Sequence, residues 1–187
     1  MLKNRFSKCK SMEGRKRNRM HGFDYSSDAI YFITICTKDK IHHFGRIQNG
    51  KMNLNEEGKI AEEQILWLKK QYSYFELHNF VVMPNHVHLL FGINGNSRDY
   101  NSVEIHVEVR SSNDLSLRNQ PKMKSVSSLM GAFKTTVSKR IHELGNLNFV
   151  WQRSFHDHIV RTQERYQQID NYITKNPENW NKDKFYE

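Results

Sequence analysis

Phe80-Val81-Val82-Met83-Pro84-Asn85-His86-Val87-His88-Leu89-Leu90-Phe91 decides how this chain folds. Two dense apolar runs flank a Pro-Asn pair. Leu77–Met83 and Val87–Ile93 therefore read as strands joined through Pro84-Asn85-His86, forming an antiparallel hairpin. In extended chain, side chains at i and i+2 leave the same face. His86 and His88 then project together while bulky Val87 turns to the other side. Two imidazoles about 7 Å apart along that face can converge on one cation, and neutral imidazole is the commonest metal ligand. On spacing alone, a His-x-His in a chain with ten histidines also fits an incidental pair. The turn before it and the apolar run after it supply a rigid platform that an exposed pair does not need.

Outward from this hairpin, Ala29–Thr37 is β-branched and aromatic and reads as a buried strand. Between His43 and Leu54, Asn49-Gly50 marks a tight hairpin turn. Asn55 caps a helix with Glu56 and Glu57 in its first turn and Ile60, Ala61, Ile65 and Leu68 at helical spacing; Tyr72 to Glu76 closes it. A second helix starts at Ser125, shows Val126, Leu129, Met130, Phe133, Val137 and Ile141 on one face, and stops at Gly145. Phe149–Val160 is a loop leading into a strand. Thr162 caps a last helix carrying Tyr166, Ile169, Tyr172 and Ile173. Pro177 should push Asn176 out of the α region and end it. The order of elements is an α+β pattern, helices over an antiparallel sheet. Residues 1–22 read as a basic N-terminal arm and 23–187 as a single domain. A polar insertion at about 94–124 interrupts it, in which only Val103–Val109 alternates cleanly.

The 187 residues (22.4 kDa) suit one domain of this kind. Lys and Arg total 29 against 20 Asp and Glu, a net charge of +9 and a pI near 9.5. Such an excess attracts polyanions, with nucleic acid the favoured partner through phosphate neutralisation. Arg15, Lys16, Arg17 and Arg19 head the list of arm residues for that contact, although a solvated tail has the same composition. Cys9 and Cys36 alone make neither a disulfide framework nor a zinc cluster and suit a reducing compartment. No apolar run approaches the roughly 20 residues of a membrane span. The N-terminus lacks the apolar core of a secretory signal, so a cytoplasmic protein is expected.

Tyr172 lies four residues before Asn176 and shares its helical face. A phenol with a pKa near 10 is a poor nucleophile unless a cation or base assists it. Periodicity alone equally allows Tyr172 as an amphipathic packing residue and Asn176 as a plain helix end. His156 and His158 share a strand face opposite Asp157 and fit phosphate contact or support better than a second metal site. Arg153 and Arg161 suit bidentate phosphate contact, or are surface charge.

Together these segments meet a family. Phe80 to Leu90 closely resembles the metal-binding strand of the HUH single-strand transposases, in which an apolar residue separates two histidines. Tyr172-Ile173-Thr174-Lys175-Asn176-Pro177 looks like the tyrosine helix of that group. Trp151-Gln152-Arg153-Ser154-Phe155-His156-Asp157-His158-Ile159-Val160-Arg161 resembles the connecting segment of the REP-associated tyrosine transposases. Tyr31-Phe32-Ile33-Thr34-Ile35-Cys36-Thr37 is similar to their first strand. The likeness spans most of residues 22–181. It implies a ferredoxin-like antiparallel sheet with helices packed on it. It also implies Mg²⁺ or Mn²⁺ on His86 and His88 with Asn176 as third ligand, and Tyr172 as the nucleophile on single-stranded or hairpin DNA. A homodimer is among the assemblies this allows. Two other functions compete. A nucleic-acid-binding regulator with the same fold would have no use for the full set of four residues. A metal-dependent hydrolase is disfavoured because no acidic residue stands beside the histidines in the sequence.

Overall fold

The computed structural model describes residues 28–95 and 123–186. The basic arm, with Arg15, Lys16, Arg17 and Arg19, lies outside them, as do Cys9 and Val103–Val109. Along the described chain run β1 (Ala29–Cys36), β2 (Gly45–Gln48), β3 (Lys51–Leu54), α1 (Glu56–Gln71), β4 (Phe75–Val82) and β5 (His86–Ile93), then α2 (Val126–Glu143), β6 (His156–Val160) and α3 (Gln163–Lys175). Strands β4-β5-β1-β6 form one antiparallel sheet, and β2-β3 make a separate hairpin. The first and third strands of the large sheet are central and the second and fourth are at its edges. With α1 and α2 as crossovers this is the ferredoxin-like α+β arrangement.

Strand alternation sorts the sheet into two faces. On one, Tyr31, Ile33 and Ile35 of β1 and Val87, Leu89, Phe91 and Ile93 of β5 pack beneath α1 and α2. The periodic residues of both helices, from Ile60 to Leu68 and from Val126 to Ile141, are buried there. On the other face, Leu90, Ile30, Phe32, Val81 and Val160 meet Ile169 and Ile173 of α3. His86, His88 and Thr34 belong to this second face by parity. Both sides of β5 are covered, so all eight of its residues are buried.

Helix α3 buries only Ile169 and Ile173, which stabilise its docking by about 1.5–3 kcal/mol each. Hydrogen bonds therefore carry much of its placement. A register shift in β4 between Leu77 and Asn79 re-aims Asn79, whose Nδ2 donates to Asp170 Oδ1 (2.6 Å) and Thr174 Oγ1 (3.1 Å). The helix that carries Tyr172 is thus fastened to the strand that precedes the two histidines.

Two expectations need correction. Strand β4 starts at Phe75, so Phe75 and Glu76 are strand rather than the close of α1, which ends at Gln71. Asn176 is αR (φ −58°, ψ −44°) despite preceding Pro177. The helix does end there, but a turn continues: Asn179 N donates to the carbonyls of Lys175 and Asn176. The steric preference before proline is overruled by this turn and by the buried Asn176 side chain.

Candidate active site

His86 and His88 are fully buried on the α3 face of β5. Backbone spacing alone would leave the rings well apart, yet they rotate towards each other until the two Nε2 atoms are 3.0 Å apart. Each Nδ1 is tied to an oxygen behind it. His86 Nδ1 is 2.8 Å from Asn85 Oδ1, and His88 Nδ1 is 2.8 Å from Thr34 Oγ1. Asn85 Nδ2 donates to the carbonyls of Lys40 (3.2 Å) and Phe185 (2.9 Å), so its Oδ1 is an acceptor and His86 Nδ1 must be the donor. The lone pair of His86 is therefore on Nε2, facing His88. The Thr34 hydroxyl can accept as well as donate, which lets His88 present an Nε2 lone pair to the same point. Outer partners that fix imidazoles in this way are typical of metal ligands.

Tyr172 reaches this point from α3, its hydroxyl 3.2 Å from His88 Nε2 and its ring edge-on to Phe32 at 6.1 Å. The same hydroxyl donates to Asp183 Oδ2 (2.9 Å). Asn176 Nδ2 donates to that oxygen as well (2.8 Å). Asn176 Oδ1 is buried without a hydrogen-bond partner. A cation is one group that would satisfy it.

Asp183 is the residue that the sequence did not reveal. It lies beyond α3, after a 3-10 turn at Trp180–Lys182, and no spacing pattern joins it to the histidines. Its placement overturns the expectation that no acidic group accompanies them. One donor atom each from His86, His88 and Asp183 lies within 4.8 Å of the others, and among the described residues this is the grouping of three such side chains.

The site's electrostatics follow from burial. Desolvation drives the pKa values of both histidines below the usual imidazole value, and for His88 the adjacent His86 adds to it. Both are held neutral, the form that ligates. For Asp183, burial pushes upward but is outweighed by donors from Phe185 N–H, Asn176 and Tyr172, so the carboxyl is held below its ordinary range. Tyr172 is raised by burial, then by the charge and hydrogen bond of Asp183. With no cation, its proton is hard to remove.

The remaining candidates are dispersed. Arg153 lines a groove with Lys38, Lys40, His156 and Phe185, and the Phe185 ring packs on His86 at 4.6 Å. Arg161 lies with His158 and Arg165 at the other end of β6, at the pairing of Val160 with Ile30. Arg153 therefore borders the site and Arg161 does not. His156 and His158 are both exposed.

Over 179 residues the chain is 32% identical to an uncharacterised protein of Haemophilus influenzae (strain ATCC 51907 / DSM 11121 / KW20 / Rd), covering 92% of this chain and 93% of that one. The chain belongs to the family of that protein. No protein-family model matches it. Among solved structures it is similar to a REP-associated tyrosine transposase bound to a REP hairpin (19% identity, TM-score 0.49, 89% of this chain and 73% of that one). It is also similar to a candidate transposase of Deinococcus radiodurans R1 (18% identity, TM-score 0.45, 83% and 95%). No helix among the described residues is long and apolar enough to cross a membrane.

Proposed function

We propose that the protein is a metal-dependent single-strand DNA endonuclease and strand transferase, a transposase of the HUH type. The observation that carries this reading is the convergence of His86 Nε2, His88 Nε2 and the Tyr172 hydroxyl on one point, with Asn176 Nδ2 on the same Asp183 oxygen that the Tyr172 hydroxyl reaches. In it His86, His88 and Asn176 hold Mg²⁺ or Mn²⁺. The cation supplies positive charge that polarises a phosphate oxygen and stabilises charge built up at phosphorus. Tyr172 is the nucleophile. Its oxygen bonds to phosphorus as the bond to the 3′-oxygen breaks, and that oxygen leaves with the electron pair. The Tyr172 proton already faces Asp183 Oδ2, and one proton ends on the leaving 3′-hydroxyl. The product is a 5′-phosphotyrosine, which keeps the phosphodiester energy for rejoining to another strand. Arg153, Arg161 and the basic arm with Arg15, Lys16, Arg17 and Arg19 are assigned to phosphate contact. A single tyrosine cuts one strand, so the substrate is single-stranded or a hairpin foot.

Asp183 beside the histidines favours one other reading, hydrolysis with water as the nucleophile. The two separate in a single experiment. Full-length protein with 5′- and 3′-labelled single-stranded oligonucleotides and Mn²⁺ is expected to yield a covalent protein–DNA adduct. His86→Ala and His88→Ala should each lose the adduct while still binding DNA. Cut DNA with no adduct at any time point would replace transfer by hydrolysis.

A further inference from the structure

We propose that Asp183 is itself a ligand of the divalent cation, making a site of two imidazoles, one amide and one carboxylate. This rests on the metal reading above and adds to it a residue from the segment after α3.

Three observations support it. The carboxylate is within 4.8 Å of a donor nitrogen of each histidine, and those nitrogens already face one another. It is also fixed rather than adventitious. The backbone N–H of Phe185 holds Oδ1 at 2.8 Å, and Tyr172 and Asn176 hold Oδ2 at 2.9 and 2.8 Å. Finally, the amide that donates to Asp183 has its own oxygen buried and unpartnered, so the carboxylate is held by a side chain that still lacks a partner of its own.

The chemistry of the donor set points the same way. Two imidazoles alone suit zinc-like ions, whereas Mg²⁺ and Mn²⁺ take oxygen ligands. Two neutral imidazoles and an amide would leave a full double charge beside buried groups, which is costly unless it is compensated. One carboxylate halves it.

The same residues admit an opposite role, in which the segment after α3 merely covers the histidines. Phe185 packs on His86 at 4.6 Å and Trp180 at 5.9 Å. A cover and a ligand predict changes of opposite sign. The test is equilibrium Mn²⁺ binding to the full-length protein without DNA, read from the loss of the free-ion paramagnetic resonance signal. Asp183→Asn keeps the shape and an acceptor for Tyr172, so the fold should be retained, which circular dichroism checks. Its Mn²⁺ affinity is expected to fall at least about tenfold, and Asp183→Ala should fall as far or further. Unchanged or tighter binding in both variants would overturn the proposal and make the segment a cover. His86→Ala and His88→Ala should lose Mn²⁺ binding whatever Asp183 does. Retained binding in those two would reject the metal site itself, a different failure from that of Asp183.

Discussion

Thr34 and His88 face each other across β1 and β5, and the Thr34 hydroxyl lies 2.8 Å from His88 Nδ1. Both are buried, so no water replaces a lost partner. Thr34→Val conserves shape and removes the oxygen. Leaving the ring nitrogen unsatisfied should cost about 1–3 kcal/mol of stability. Losing the group that orients His88 should weaken Mn²⁺ binding by about 10- to 100-fold. Thermal unfolding and Mn²⁺ titration of the same preparation measure the two effects. A stability loss with unaltered metal affinity would reduce Thr34 to a packing role.

The histidine pair also predicts how the metal-free protein responds to acid. Burial depresses both pKa values below 6.5 in the folded state, with His88 fully enclosed. Below 6.5 the unfolded chain takes up protons that the folded site refuses. Stability is therefore complete above about pH 6.5 and declines as the pH falls from there. The steepest slope is about 1.4 kcal/mol per pH unit for each histidine. Urea unfolding with chelator at several pH values between 7.5 and 5 should show this decline, with a shallower slope in His86→Gln. Identical slopes in the two proteins would place the acid sensitivity elsewhere.

Local chemistry made much of the fold legible. The caps Asn55, Ser125 and Thr162 each accept from the backbone N–H three residues on. The Asn49-Gly50 turn takes the positive φ values (52° and 70°) that its residue types invite. Strand parity placed His86 and His88 on one face. What stayed hidden depends on contacts between distant segments. The rings close to 3.0 Å because Asn85 and Thr34 pull on their far sides, and no spacing rule encodes that. Asp183 arrives through a turn after α3 whose position is set by tertiary packing. Asn176 keeps αR geometry before proline for the same reason.

Gly58 offers a stability test in which two rules disagree. It sits in the first turns of α1, where alanine normally favours helix by about 1 kcal/mol. A Cβ there, however, would collide with the carbonyl oxygen of Phe44 and crowd Leu54. Phe44 is fully buried, and its carbonyl accepts from Asn55 N, the helix cap, so neither side yields easily. The collision should dominate. Gly58→Ala is expected to destabilise by about 1–3 kcal/mol, measured by urea denaturation. An increase in stability would mean that α1 can slide away from Phe44 at little cost.

Tyr172→Phe bears most directly on the proposed chemistry, because α3 carries a second tyrosine as a control. Six residues separate Tyr166 from Tyr172, a rotation equivalent to about 240°, whereas Asn176 is only about 40° away. The structure follows this arithmetic. Tyr166 turns to β4, its hydroxyl 3.2 Å from His78 Nδ1, while Tyr172 faces His88 and Asp183. Removing the Tyr172 oxygen leaves its ring on Phe32 and frees Asp183 of one donor. Tyr172 is also partly exposed, so the fold should tolerate the change. DNA affinity should stay within about twofold of the parent, and Mn²⁺ binding should persist because Asp183 keeps its donors from Asn176 and the Phe185 N–H. The covalent adduct should disappear. Tyr166→Phe should form it at the parental rate, and peptide mapping of the parent's adduct should find the nucleotide on Tyr172. An adduct that persists in Tyr172→Phe and maps to Tyr166 would require α3 to rotate by about a third of a turn and to slide about 9 Å along its axis, and this geometry of the site would not be the reactive one.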